Sequence, residues 1–106
     1  MKIKKYLLVT LITLFSLDVV SEEAEIVLYN SGCRSYFVAD GPKGFYLLEW
    51  YGGFDPAKGD IIVGDIASYG FKDVYYPNQK QDGRIWVDDY MLSKDRVLEK
   101  YYQKCN

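Results

Sequence analysis

The residues that carry most side-chain chemistry are scarce in this sequence: it has no histidine and only two cysteines, Cys33 and Cys105, 72 positions apart. Without histidine, the Ser-His and Cys-His nucleophile systems and most transition-metal sites are excluded. Redox-active thiol pairs sit close together in sequence, as in Cys-x-x-Cys, so two cysteines this far apart read as a structural disulfide. Closing so long a loop stabilises by about 4 kcal/mol on the chain-entropy estimate. No glycine motif that cradles phosphate is present. The Asp-Gly pairs at 40–41 and 82–83 lack the alternating acids and terminal Glu of a calcium loop, which leaves Asp88-Asp89 as the remaining acidic pair to consider. No metal or other cofactor is expected.

Catalysis would then fall to carboxylates. Glu49 lies inside the apolar run 45–51 (FYLLEWY) and by alternation shares a face with Phe45, Leu47 and Tyr51. Asp65 shares a face with Ile61 and Val63. If Glu49 and Asp65 faced one groove, roughly 5–9.5 Å apart, the pair could hydrolyse a glycoside. Against this, Glu49 can pair with a cation across the sheet, or the opposite face (Tyr46, Leu48, Trp50) can be the buried one.

Aromatic residues make up 17% of the chain, and they fall on both parities of the expected strands, so one buried face cannot absorb them all. Exposed Tyr and Trp give large contact area at low entropic cost. The loop-proximal Trp50, Tyr51, Phe54 and Tyr69 are the expected binding residues, clustered at one end of the fold.

The elements that position these residues follow from period and turn chemistry. Short apolar and aromatic runs at 25–30, 33–39, 45–51, 60–66, 71–76 and 84–92 read as strands. Glycine-rich and polar stretches separate them, including a five-residue turn at 40–44, a crossing loop at 52–59 and a mobile hairpin tip at 78–83. Val97, Leu98, Tyr101, Tyr102 and Cys105 fall on one helical face, with Ser93 as N-cap and Asp95 in the first turn, which predicts a helix over 94–104. A Cys33–Cys105 bond would clamp that helix to the start of the second strand.

The segment Lys58-Gly59-Asp60-Ile61-Ile62-Val63-Gly64 resembles the strand-opening segment of small exported β-barrel proteins of the OB and Src-homology type, where a Gly-Asp turn feeds a strand bent at glycine. The resemblance implies a barrel and carries no functional residues with it. Together these readings predict a mainly β fold: a small five- to six-stranded barrel or highly curved sheet with one C-terminal helix.

The N-terminus places Lys2, Lys4 and Lys5 before an uncharged run over 6–17 that ends at Asp18. That order is the signature of a secretory signal peptide, and the run falls short of the about 20 apolar residues a spanning helix needs. Cleavage is expected after Ser21, with cleavage after Ala24 as the alternative, leaving a single domain over 22–106. Losing Lys2, Lys4, Lys5 and Asp18 would move the formal charge from −2 to −4. An acidic domain is a poor fit to nucleic acid or anionic membrane. The sequence therefore points to an exported, periplasmic or secreted bacterial protein without a stable membrane anchor. Three functions stay open: a non-catalytic module binding a protein, peptide or glycan of the cell envelope, a carboxylate-dependent hydrolase of envelope glycans, and a structural or inhibitory protein.

Overall fold

The computed structural model describes residues 21–105, so the expected signal peptide, apart from Ser21, lies outside the described residues. Six strands follow one another: β1 (Glu22–Leu28), β2 (Tyr36–Gly41), β3 (Gly44–Gly53), β4 (Ile61–Gly64), β5 (Gly70–Tyr76) and β6 (Gln81–Leu92). A single helix among the described residues, α1 (Lys94–Cys105), ends them. The strands close into a barrel in the order β1-β2-β3-β6-β5-β4, every neighbouring pair antiparallel. The barrel is thus two three-stranded meanders, joined where the chain crosses one barrel end between Gly53 and Ile61. That crossing sits where the sequence predicts a long loop.

Alternation explains the first core. β5 turns Val74 and Tyr76 inward and Phe71, Asp73 and Tyr75 outward. β1 turns Ala24 and Ile26 inward, and β6 contributes Ile85 and Val87. With Phe37, Tyr46, Leu48, Ile62 and Ile66 these side chains fill the barrel, so its interior is a packed core and not a channel.

The second core lies outside the wall, because β3 is apolar on both faces. Tyr46 and Leu48 point into the barrel, while Leu47 points out and is equally inaccessible. Leu47 and Val38 meet Val97 and Tyr101, the two buried residues of α1, one helical turn apart. The helix begins where expected: the Ser93 hydroxyl accepts a hydrogen bond from the Arg96 N–H at 3.2 Å. It then runs back along β2 and β3 toward the opposite barrel end, where Cys105 forms a disulfide with Cys33. Lys100 and Lys104 tie its flank to β6 through ion pairs with Asp89 (3.4 Å) and Asp88 (3.8 Å). The Asp88-Asp89 pair is therefore spent on the helix.

Some boundaries differ from the sequence reading. β1 starts three residues earlier, with Glu22 only 8% exposed at the barrel mouth, near the Tyr46 hydroxyl and paired with Lys43 at 3.5 Å. β2 begins at Tyr36 and not at Cys33, because residues 30–35 form a tight turn with Arg34 in the left-handed region (φ 64°). The expected five-residue turn at 40–44 shrinks to Pro42-Lys43, with Gly41 paired to Gly44. The second half of the expected mobile tip at 78–83 is strand: Gln81, Asp82 and Gly83 pair with Tyr76, Tyr75 and Val74. Polar residues there face water from the outer barrel wall, which composition alone reads as loop. Gly53 has to be glycine: its φ is +73°, and a Cβ would come within 2.6 Å of the Asp82 carbonyl oxygen.

Candidate binding surface

The outer wall of β3, β6 and β5 carries a continuous row of aromatic rings. β6 lies between the other two strands, and Trp86 stands in register with Glu49 of β3 and Phe71 of β5. The Phe71 and Trp86 rings meet edge to face with centroids 4.8 Å apart and planes at 71°. Tyr51 reaches over β6 to contact the same Phe71 at 4.8 Å and 83°. The Arg84 guanidinium sits 5.2 Å from the Phe71 centroid and donates a hydrogen bond to Asp73 at 3.2 Å. Phe71 is thus the hub of the row. Tyr51 and Phe71 are 51% and 47% exposed, large values for side chains already packed against each other.

These rings are outside because the inner parity is taken. Ile85 and Val87 of β6 fill the barrel on either side of Trp86, and α1 covers β2 and the first half of β3 but stops short of β5. Nothing in the described chain lies over the row.

The four aromatic residues expected to cluster at one barrel end occupy three places. Trp50 and Phe54 are at the end crossed by the β3–β4 connection, half-buried against the barrel core, with the Trp50 indole Nε1–H donating to the Phe54 carbonyl at 3.1 Å. Tyr51 belongs to the outer row. Tyr69 lies at the opposite end, edge-on to Tyr90 at 4.8 Å, with its hydroxyl donating to Asp89 at 3.3 Å. The Asp89 charge, then burial, raise the pKa of Tyr69.

The two candidate carboxylates do not meet. β3 and β4 are diametrically opposed in the ring of six strands. Glu49 stands on the outer wall opposite Tyr36 across the β2–β3 ladder. Burial, and then the Glu49 carboxylate, push the Tyr36 phenol up to about 12. Asp65, just past β4, accepts a hydrogen bond from Ser68 at 3.3 Å and pairs with Lys72 at 3.2 Å. Each carboxylate has local work, and the barrel separates them. Among the described residues no group of three or more His, Cys, Asp or Glu is placed to hold a metal, and no helix is long and apolar enough to cross a membrane.

Phe71, Trp86 and Arg84 carry the row, and the sequence reading did not single them out as a site. A signal for them exists. Trp86 has charged residues two positions away on both sides, Arg84 and Asp88, and Phe71 has Asp73 two positions on. In a strand, residues i and i±2 share a face, so charge that must stay wet marks the flanking aromatic as outward. The exported charges, and not the loops, point to the exposed rings.

Comparison of the chain with models of known protein families, with curated proteins and with solved structures gave no match.

Proposed function

We propose that this is an exported, non-catalytic interaction module that docks a protein partner in the bacterial cell envelope through Tyr51, Phe71, Trp86 and Arg84. The observation that carries this reading is the contiguous, half-exposed aromatic row on a rigid barrel wall. Its composition is that of an interface hot spot, where Trp, Tyr and Arg dominate binding energy. Ring orientation separates protein from glycan. A pyranose face stacks on a flat platform, but these planes cross at 71° and 83°, leaving ridges and notches suited to side chains.

Export is supported by several features. A disulfide persists in an oxidising compartment. The basic, then apolar, N-terminal order of a signal peptide precedes the domain. Ala24 is buried and pairs with Ile62 in the β1–β4 ladder, so cleavage after Ser21 keeps the strand whole, whereas cleavage after Ala24 would remove part of it.

The test is retention of a partner from a cell-envelope extract by the disulfide-bonded domain, with the bound protein cross-linked and titrated. Phe71→Ala and Trp86→Ala should each weaken retention roughly thirtyfold, a hot-spot loss of about 2 kcal/mol, with the circular-dichroism spectrum unchanged. Tyr102→Ala, on the exposed flank of α1 beside β1 and β2, should leave retention intact. Equal binding by all three variants would refute the assignment. A retained enzyme that loses activity on binding would specify the module as an inhibitor.

A further inference from the structure

At the barrel end crossed by the β3–β4 connection lies a cleft of about 380 Å³, separate from the aromatic row. The residues that line it include Tyr29, Trp50, Ser35, Arg34, Asp55 and Lys58. Arg34 and Lys58 take part in none of the ion pairs formed among the described residues. The one carboxylate of the cleft, Asp55, already accepts the Tyr29 phenol hydrogen at 2.8 Å. The nearby Asp60 is likewise occupied, by the Ala57 N–H at 2.8 Å and the Gln79 amide at 2.9 Å. Two uncommitted cationic residues therefore line a cleft whose one acid is engaged, on a domain expected to be acidic overall.

The position of Arg34 is held against its own preference. A side chain other than glycine at φ 64° costs free energy and persists only where the surroundings fix it. Here they do so from every side. Cys33 is bonded to Cys105, and its N–H donates to the Asn30 carbonyl at 2.9 Å. The Asn30 N–H donates to the Tyr101 hydroxyl of α1 at 3.0 Å. The Trp50 N–H donates to the Ser35 carbonyl at 2.8 Å, which locks the Arg34 turn to the strand that bears the Trp50 ring. The backbone that carries Arg34 is thus fixed relative to the aromatic wall before any ligand arrives.

We propose that this cleft binds a carboxylated sugar unit. The ring of a sugar has an apolar face that an indole or phenol can cover, its hydroxyls match Ser35 and the free lone pairs of Asp55, and its carboxylate matches the guanidinium of Arg34 with Lys58 alongside. A volume at the low end of the range for small-molecule sites suits a single ring and not a long chain. The reading stands independently of the protein-docking surface, which uses the outer wall.

Sodium glucuronate is the probe, with glucose as the neutral control, titrated against the intact disulfide-bonded domain carrying Trp86→Phe. That substitution leaves Trp50 as the single tryptophan, so its fluorescence reports the cleft. Glucuronate should shift it saturably with a Kd on the order of 1 mM, weakening as salt is added, and glucose should bind at least tenfold more weakly. Arg34→Gly removes the cation and suits the left-handed backbone, so it should keep or raise the thermal midpoint while weakening glucuronate at least tenfold. Lys58→Gln should weaken it severalfold without altering the fold. No saturable change with glucuronate, equal binding of glucose, or undiminished binding by a folded Arg34→Gly would each overturn the proposal.

Discussion

Tyr76 and Tyr101 are both fully buried, yet their hydroxyls have opposite fates. Tyr101 lies in the outer core and accepts the Asn30 N–H at 3.0 Å, tying α1 to the turn that follows β1. Tyr76 lies inside the barrel against the Phe54 ring, and its hydroxyl has no partner among the described residues. A satisfied buried hydrogen bond contributes about 1 kcal/mol, whereas a buried polar group left unpaired costs a comparable amount. The same chemical change should therefore act with opposite sign at the two positions. Tyr101→Phe is expected to lower stability by about 1 kcal/mol and Tyr76→Phe to raise it by a similar amount. Urea unfolding of the two variants checks this, through midpoints that move in opposite directions at unchanged slope. Nothing in the sequence separates these residues, because each is a tyrosine with a second tyrosine beside it. Their difference arises from what the chain brings near each hydroxyl.

Among the elements, α1 was the most legible. Its apolar positions recur with helical period, its N-cap is Ser93, and the observed Lys94–Cys105 differs from the expected span by one residue. The strands were legible in number and order but less so at their ends. Asp40-Gly41 and Gln81-Asp82-Gly83 have turn composition, yet both stretches pair as ladder because the outer wall of a barrel welcomes polar side chains. Residues 33–35 have strand composition, yet the disulfide and the left-handed Arg34 hold them in a turn. Which strands adjoin across the closure, β1 with β4 and β3 with β6, depends on long-range pairing that local pattern does not encode, and the candidate site inherits that gap. The aromatic row exists only because β6 pairs with both β3 and β5 and so sets Trp86 beside Phe71 within reach of Tyr51. The disulfide is the clearest lever at this scale. Replacing both Cys33 and Cys105 with serine should lower stability by about 4 kcal/mol by the chain-entropy estimate. Added reductant should shift the urea midpoint of the native protein downward and leave that of the double variant unmoved.

The molecule as a whole should be sensitive to alkali. Burial raises the pKa of Tyr29, Tyr36, Tyr46 and Tyr76, and the Asp89 charge raises that of Tyr69, with Tyr36 reaching about 12 from an ordinary 10.0. Between those two values the unfolded chain has lost the Tyr36 proton and the folded chain still holds it, so raising the pH favours unfolding. The stabilisation from these tyrosines is fully present below pH 10 and is lost as pH rises through the folded values. The denaturant midpoint should stay level on approach to pH 10, fall between pH 10 and 12, and track the appearance of tyrosinate absorbance. A midpoint that is flat across that window would contradict the burial of these hydroxyls. The closed strand order has a different consequence, for the company this protein can keep. An open sheet offers the unpaired amides and carbonyls of its edge strands to any extended peptide, and that is how many β proteins recruit ligands or aggregate. Here β1 hydrogen-bonds to β4 and completes the ring. Among the described residues every strand therefore has a neighbour on both sides, and none stands at an open edge for a partner or a second copy to lengthen. Recognition has to be spoken in side chains. The outward rings of β3, β5 and β6 can therefore stay greasy without templating fibrils, a tolerance that a flat sheet of the same composition would lack.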